Sequence, residues 1–393
     1  MTAPSALGDP RPTQWAVIVL VLVAVIAPVW ASTETGFPAG GTTIGGILAV
    51  TDLTSHLGAT FHPGAIQGFG ANASTIYLAG IGVWDRPVDV TQPVLAEMST
   101  SEQVVNRTPE VASLFTNGGV FGTVWNGSTW WISGEATWGT LGEGVIISGS
   151  DAGWTNLTPQ FGPYFHDQGA WDVGWNGSAW LVAGNSTAQA VLLSYEGGVI
   201  RNLTGLLPNN RPGDWIQLMV WNGQSWLLGG RGVFGLLTGR SYVDLLPASP
   251  FTSGGPFAAD WNGSAWLVGG GPPAATDVVR GTTQSPGPAL PTGFSVWVNA
   301  IVWTGAGWLL AGKGAATGST TSTSELAFWP ANSSGSGAID LSYRLPPSFA
   351  DGQVQYAAWA PPLGRHAILL VGQGALDPRS GFSLGAIALL QLS

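Results

Sequence analysis

An all-β chain of seven repeated four-stranded units, closed into a single ring, is predicted by three features of the sequence. A hairpin motif recurs along most of its length, the copies are of similar spacing, and the two chain ends carry complementary parts of one unit. The motif reads VWNGSTWWISG at 124–134, GWNGSAWLVAG at 174–184, VWNGQSWLLGG at 220–230, DWNGSAWLVGG at 260–270 and VWTGAGWLLAG at 302–312. Weaker copies stand at 70–80 and 358–372. The turn position, Asn72, Asn126, Asn176, Asn222, Asn262, Thr304 and Ala360, recurs every 40–56 residues. Four short strands in a unit of that size make the blade of a β-propeller.

The first two strands of each unit follow from Asn-Gly, which supplies two residues of positive φ for a type I′ turn. With a two-residue turn Trp125 pairs with Ser128, so Trp125 and Trp130 share a face, as do Trp175/Trp180, Trp221/Trp226 and Trp261/Trp266. A residue type repeated at one place in every unit reads as packing between units. The third strand is an apolar run such as QAVLLSYEG at 189–197. The fourth has its own signature in QVVNRT (103–108), AGWTNLT (152–158), GVIRNLT (198–204), SYVDLL (241–246) and AIDLS (338–342). After residue 40 no segment shows the 3.6-residue period of a helix.

The last unit has only three strands, at 353–360, 366–372 and 382–392. Its fourth is found at the other end of the chain: GILAVTDLTSHL (46–57) carries the signature Asp52-Leu53-Thr54. An N-terminal strand pairing into the last blade closes the ring and leaves no bare sheet edge. Residues 42–393 are therefore read as one seven-bladed β-propeller.

One N-terminal hydrophobic segment precedes it. Residues 15–31, WAVIVLVLVAVIAPVWA, carry no charge and follow Arg11. As a signal peptide the run ends on Val29-Trp30-Ala31 before Ser32, a small-residue cleavage site. As a transmembrane anchor it has Trp15 and Trp30 for the two interfaces. Residues 1–14 then form a cytoplasmic tail and 32–41 a linker, and on either reading the propeller is extracytoplasmic.

Composition narrows the chemistry. Charged residues make up 9%, the net charge is −10, and no basic stripe occurs, which excludes phosphate-driven nucleic-acid binding. With Cys 0 there is no disulfide scaffold, thiolate metal site or Cys nucleophile. His56, His62, His166 and His366 lack paired spacing, so neither metal nor cofactor is expected. Gly381-Phe382-Ser383-Leu384-Gly385 fits the G-x-S-x-G pattern but opens a strand, where that nucleophile motif needs a strand–turn–helix.

Several residues carry a family resemblance. Gly229-Gly230 and Gly269-Gly270 match a diglycine ending the second strand, Tyr195 a third-strand aromatic, and Trp154 with Leu157 and Pro159 a fourth-strand ending. With these the chain resembles the kelch-type propellers. SGSDAGWT (148–155) is similar to the Asp-box turn of sialidase-type propellers. The resemblance extends to galactose-oxidase-like enzymes, whose radical cofactor needs a Tyr cross-linked to Cys; this chain has none. A sialidase would need a cluster of three Arg, and the Arg here are scattered.

Candidate site residues are those that break the repeat. In a propeller the loops between blades share a rim with the second-to-third-strand loops. Eleven residues before each turn position stand Phe61, Phe115, Phe165, Arg211, Phe251, Gly293 (beside Phe294) and Phe349. Recurring Phe reads as a wedge between blades; Arg211 is the exception. With it on two neighbouring loops come Tyr164, His166, Asp167, Trp171, Asp214 and Trp215. This set suits a protein or carbohydrate ligand through charged hydrogen bonds and stacking. The plainer reading is a solvated loop in which Arg211 pairs with Asp214 or Asp167.

Asp172 and Asp260 fall in innermost strands, either lining the central channel beside water or an ion or satisfied by backbone amides. Sequons stand at Asn72, Asn106, Asn126, Asn156, Asn176, Asn185, Asn202, Asn262 and Asn332. Most occupy repeat positions where turn chemistry already favours Asn and Ser/Thr; glycans remain the other reading. The expected function is a surface binding or scaffold module. The rivals are a glycan-active enzyme using Asp167 and Asp214, and an assembly component with an exposed Trp face.

Overall fold

The structure is a computed structural model describing residues 25–26, 46–62, 64–85, 90–115, 117–136, 142–150, 152–251, 254–315, 322–331, 333, 337–376 and 383–393. Seven antiparallel blades of four strands each form a ring. Their innermost strands are Gly64–Ala71, Gly119–Trp125, Ala170–Trp175, Leu218–Trp221, Gly255–Trp261, Trp297–Trp303 and Gln353–Trp359, each beside the next and the last beside the first. Blade 7 is completed by Ile47–Asp52, which pairs with Ser383–Leu392 in the register Val50↔Leu390 and Asp52↔Ala388. The predicted closure is therefore the observed one. Among the described residues helix is confined to single turns such as Thr108–Val111 and Thr158–Phe161.

The hairpin turn departs from expectation in a way the Asn side chain explains. Trp125 pairs with Trp130, not with Ser128. Asn126 Oδ1 accepts the amides of Ser128 at 2.9 Å and Thr129 at 2.8 Å, doing the work of a backbone carbonyl. Only Gly127 takes a positive φ, 99°, so the turn is not type I′. Asn176, Asn222 and Asn262 repeat this arrangement, and Trp175↔Trp180, Trp221↔Trp226 and Trp261↔Trp266 repeat the pairing. The indoles still share a face, with centroids 4.4–5.2 Å apart.

The second indole of each pair packs between blades, as predicted. Trp130, Trp180, Trp226, Trp266 and Trp308 are buried, and Trp180 stacks on Trp131 of blade 2 at 4.4 Å. The wedge residues Phe61, Phe115, Phe165, Phe251, Phe294 and Phe349 are buried too. In blade 4, Leu207 and Ile216 fill the seam while Arg211 stays at the surface. No Trp is among the exposed large apolar side chains of the described residues, which removes the support for an exposed Trp face.

The fourth-strand signature is an edge closure. Asn202 Oδ1 accepts the Thr204 amide at 2.9 Å, and the Leu203 amide donates to Leu192 O at 2.9 Å. The Thr204 hydroxyl accepts the Leu192 amide at 3.0 Å and donates back to its carbonyl at 3.4 Å. Asn106-Arg107-Thr108, Asn156-Leu157-Thr158, Asp52-Leu53-Thr54 and Asp340-Leu341-Ser342 make the same set of bonds.

Innermost strands bulge at one register. The ladder slips at Gln67, Phe121, Trp171, Phe257, Asn299 and Gln355, each five residues before the turn position. Gln217 holds the same place in blade 4. Such bulges re-aim side chains. Of the segment 15–31, Val25–Ile26 pair in parallel with Leu218–Met219; the rest of it, the tail 1–14 and the linker 32–41 lie outside the described residues. Among the described residues no helix is long and apolar enough to cross a membrane.

Candidate functional site: the rim of blades 2 to 4

The inter-blade and second-to-third-strand loops do meet on one rim, because His166–Asp167 pairs with Gly142–Glu143 at the start of the next strand. Asp167 adopts a left-handed φ of 62°, and its Oδ2 lies 2.9 Å from His166 Nδ1. Trp171, carried inward by the bulge, stacks on Phe121 at 4.7 Å. Its Nε1 donates to Asn185 Oδ1 at 2.6 Å, and Asn185 Nδ2 donates to Gln168 Oε1 at 3.2 Å. The indole is pinned and half-buried. Tyr164 belongs instead to the apolar cluster of blade 3.

Blade 4 builds a second pinned indole. Trp215 Nε1 donates to Gln217 Oε1 at 2.9 Å, the Trp215 amide donates to Arg231 O at 3.1 Å, and the Arg231 guanidinium lies over its ring at 5.5 Å. Arg211 contacts Asp214 through its backbone amide, which donates to Oδ2 at 2.8 Å. The ion pairs of the described residues do not include Arg211 with Asp214 or Asp167, so that expectation is replaced by a main-chain bond. The two blades are joined by the Ile216 amide donating to Gly184 O at 3.2 Å. Asp167 and Asp214 each bond within their own loop, which weakens their reading as a catalytic pair.

Sequence reasoning missed the position just after the diglycine. Five residues beyond the second indole position stand Ile81, Glu135, Asn185, Arg231, Gly271, Lys313 and Gln373, and the break from Gly and apolar residues to charge was visible there. Glu135 is 6% exposed, beside Trp171 and fitted against Gly142 and Gly169, where side chains would collide with its carboxylate. Burial pushes its acid up to about 7. Lys313, on the far side of the ring, is lowered by the same cause.

Of the sequon residues, Asn185 is 7% exposed and its amide nitrogen donates to Gln168 Oε1. Asn332 lies outside the described residues, and Asn72, Asn126, Asn176 and Asn262 hold turns. Among the described residues no group of three or more His, Asp or Glu forms a metal position. Two surface clefts, of about 70 and 180 Å³, lie away from the rim near Trp308 and Thr60. Both fall short of the roughly 300 Å³ of a small-molecule site.

No family model matches the chain, and no curated protein matches its sequence. Solved structures do match its fold. YCF48, described as bound to a D1 peptide, is 9% identical, with a TM-score of 0.53 over 84% of this chain and 92% of that one. An α-L-arabinofuranosidase from Fusarium graminearum gives 9% identity and 0.45 over 83% and 93%. The phage phi92 endosialidase gives 7% and 0.46 over 90% and 68%. These likenesses are of fold alone.

Proposed function

We propose that the chain is an extracytoplasmic binding module, carried out of the cytoplasm by residues 15–31 and holding an extended ligand, polypeptide or glycan, on the rim of blades 2 to 4. Its degenerate diglycine repeats support a kelch-like reading. The observation that supports the reading is the pair of pinned indoles, Trp171 and Trp215, each held by an amide and flanked by Glu135, Asp214 and Arg231. Rigid aromatic faces with fixed polar neighbours lose little freedom on binding. YCF48's peptide makes a polypeptide worth testing beside sugars.

A second reading rests on one observation. Glu135, with an acid near neutrality beside an indole, is equipped as a general acid for glycan cleavage. Glycan-array and peptide-library screens of the purified chain, with mass spectrometry of the bound species, separate the two. Intact ligand retained by the wild type and lost in Trp171→Ala and Arg231→Ala supports the binding module. Cleaved sugar, abolished by Glu135→Gln, supports the enzyme. Binding indifferent to all three substitutions rejects the rim.

A further inference from the structure

Across from the second indole position the third strands carry Gly, Val, Leu or Met, except for Tyr195 in blade 3 and Trp329 in blade 6. Tyr195 is covered by the neighbouring blade, with Trp131 at 5.1 Å and Phe161 at 5.7 Å. In the seam of blades 5 and 6 the residue at the Trp131 position is Leu267. Its smaller side chain leaves a cleft of about 70 Å³ beside Trp329, walled by Asn262, Val278, Arg280, Trp308 and Pro330. The cleft lies at the hairpin-turn end of the ring, away from the rim. Asp260 fixes the two blades there, its carboxylate accepting the Trp261 amide in its own blade and the Trp303 amide in the next at 2.7 Å each.

The polar side-chain groups left free in this lining are all donors. Asn262 spends its oxygen on the amides of Ser264 at 2.9 Å and Ala265 at 2.8 Å, which leaves its Nδ2. Trp329 Nε1 is buried and has no hydrogen-bond partner, and an indole can only donate. Arg280 is in none of the ion pairs of the described residues, although 22 acids face 12 Lys and Arg in the chain. Asp277, the nearest acid in sequence, is occupied by the Val278 amide and Gln284 Nε2 at 3.0 Å each.

A guanidinium, an amide N–H and a buried indole N–H around one small apolar cleft select a group that only accepts hydrogen bonds and carries negative charge. The volume holds about two water molecules at roughly 30 Å³ each, which admits one small planar group and no sugar ring. We propose that this cleft binds a short-chain carboxylate of the acetate class. Arg280 pairs with the carboxylate, Trp329 Nε1 and Asn262 Nδ2 donate to it, and Trp308 and Val278 cover the methyl end. The site is independent of the rim of blades 2 to 4.

The full chain, labelled with ¹⁵N at its Trp indoles and produced without N-glycans, is titrated with sodium acetate at constant ionic strength. The Trp329 indole N–H signal is identified by its loss in Trp329→Phe. A saturable downfield shift with a Kd on the order of millimolar is expected, as suits so small a ligand. Acetamide, which has the shape without the charge, leaves the signal in place. Arg280→Ala weakens acetate binding by about tenfold or more, and Leu267→Trp abolishes it by filling the cleft as Trp131 fills its own seam. Should Leu267→Trp not fold, Arg280→Ala, at an exposed position, and acetamide decide. No saturable shift up to about 100 mM acetate, an equal response to acetamide or chloride, or binding unchanged in Arg280→Ala overturns the proposal and leaves the cleft to water.

Discussion

Glu135 is a carboxyl group with poor options for its charge: 6% exposed, with no ion-pair partner among the described residues and an acid raised to about 7. A raised acid makes the folded state hold its proton longer than the unfolded state does. Between the ordinary Glu value and about 7 the folded chain therefore binds more protons, and stability falls as pH rises through that window. Asp260 and Asp277, each pushed up to about 6 by burial, add slope of the same sign. Glu135→Gln is expected to stabilise the chain at pH 8 by about 2–3 kcal/mol and to change little at pH 4. Urea unfolding at the two pH values checks it; equal effects at both would show that the carboxyl is not desolvated. A group kept at such cost beside Trp171 fits a ligand role better than a structural one.

At the scale of an element, the Asn–Leu–Thr closure makes the Asn replaceable and the Thr much less so. The Asn supplies one acceptor, and Asp52 and Asp340 supply the same acceptor elsewhere in the ring. Asn202→Asp is therefore expected to change stability by less than about 0.5 kcal/mol, while Asn202→Ala costs about 1 kcal/mol. Thr204→Val leaves the Leu192 amide unpaired in the interior and is expected to cost about 1–3 kcal/mol. Denaturant midpoints order the three variants. If Asn202→Asp were the most damaging, the motif would be serving a glycan and not the turn.

For the whole molecule, closure by Ile47–Asp52 couples the two chain ends. Removing residues 1–41 leaves that strand in place and is expected to leave the cooperative transition intact. Removing 1–57 strips the Ser383–Leu392 edge and the Leu53 and Thr54 bonds to Ile387. Early melting and aggregation are then expected, because a long apolar edge is exposed. Thermal scans with size-exclusion chromatography compare the two truncations. Equal melting of both would mean that the ring does not depend on its closing strand.

The repeat made the architecture legible without coordinates. Trp at two places in every hairpin, Phe ahead of each blade and Asp52-Leu53-Thr54 at the wrong end of the chain are local patterns, and strand periodicity and turn chemistry are local physics. Register at the turn was not legible, because whether an Asn side chain or its backbone carbonyl accepts the bonds depends on geometry of a few tenths of an ångström. The rim was half legible. Trp171, Asp214 and Trp215 broke the pattern visibly, whereas Glu135 after Ser133-Gly134 and Arg231 after Gly229-Gly230 are single charges at the end of a second strand. Arg211 stood out in the sequence, yet its side chain is solvated. Burial, which raises the acids of Glu135, Asp172 and Asp260, is set by how seven blades face one axis. The sequence determined which residues repeat; only the closed ring decided which of them lost water.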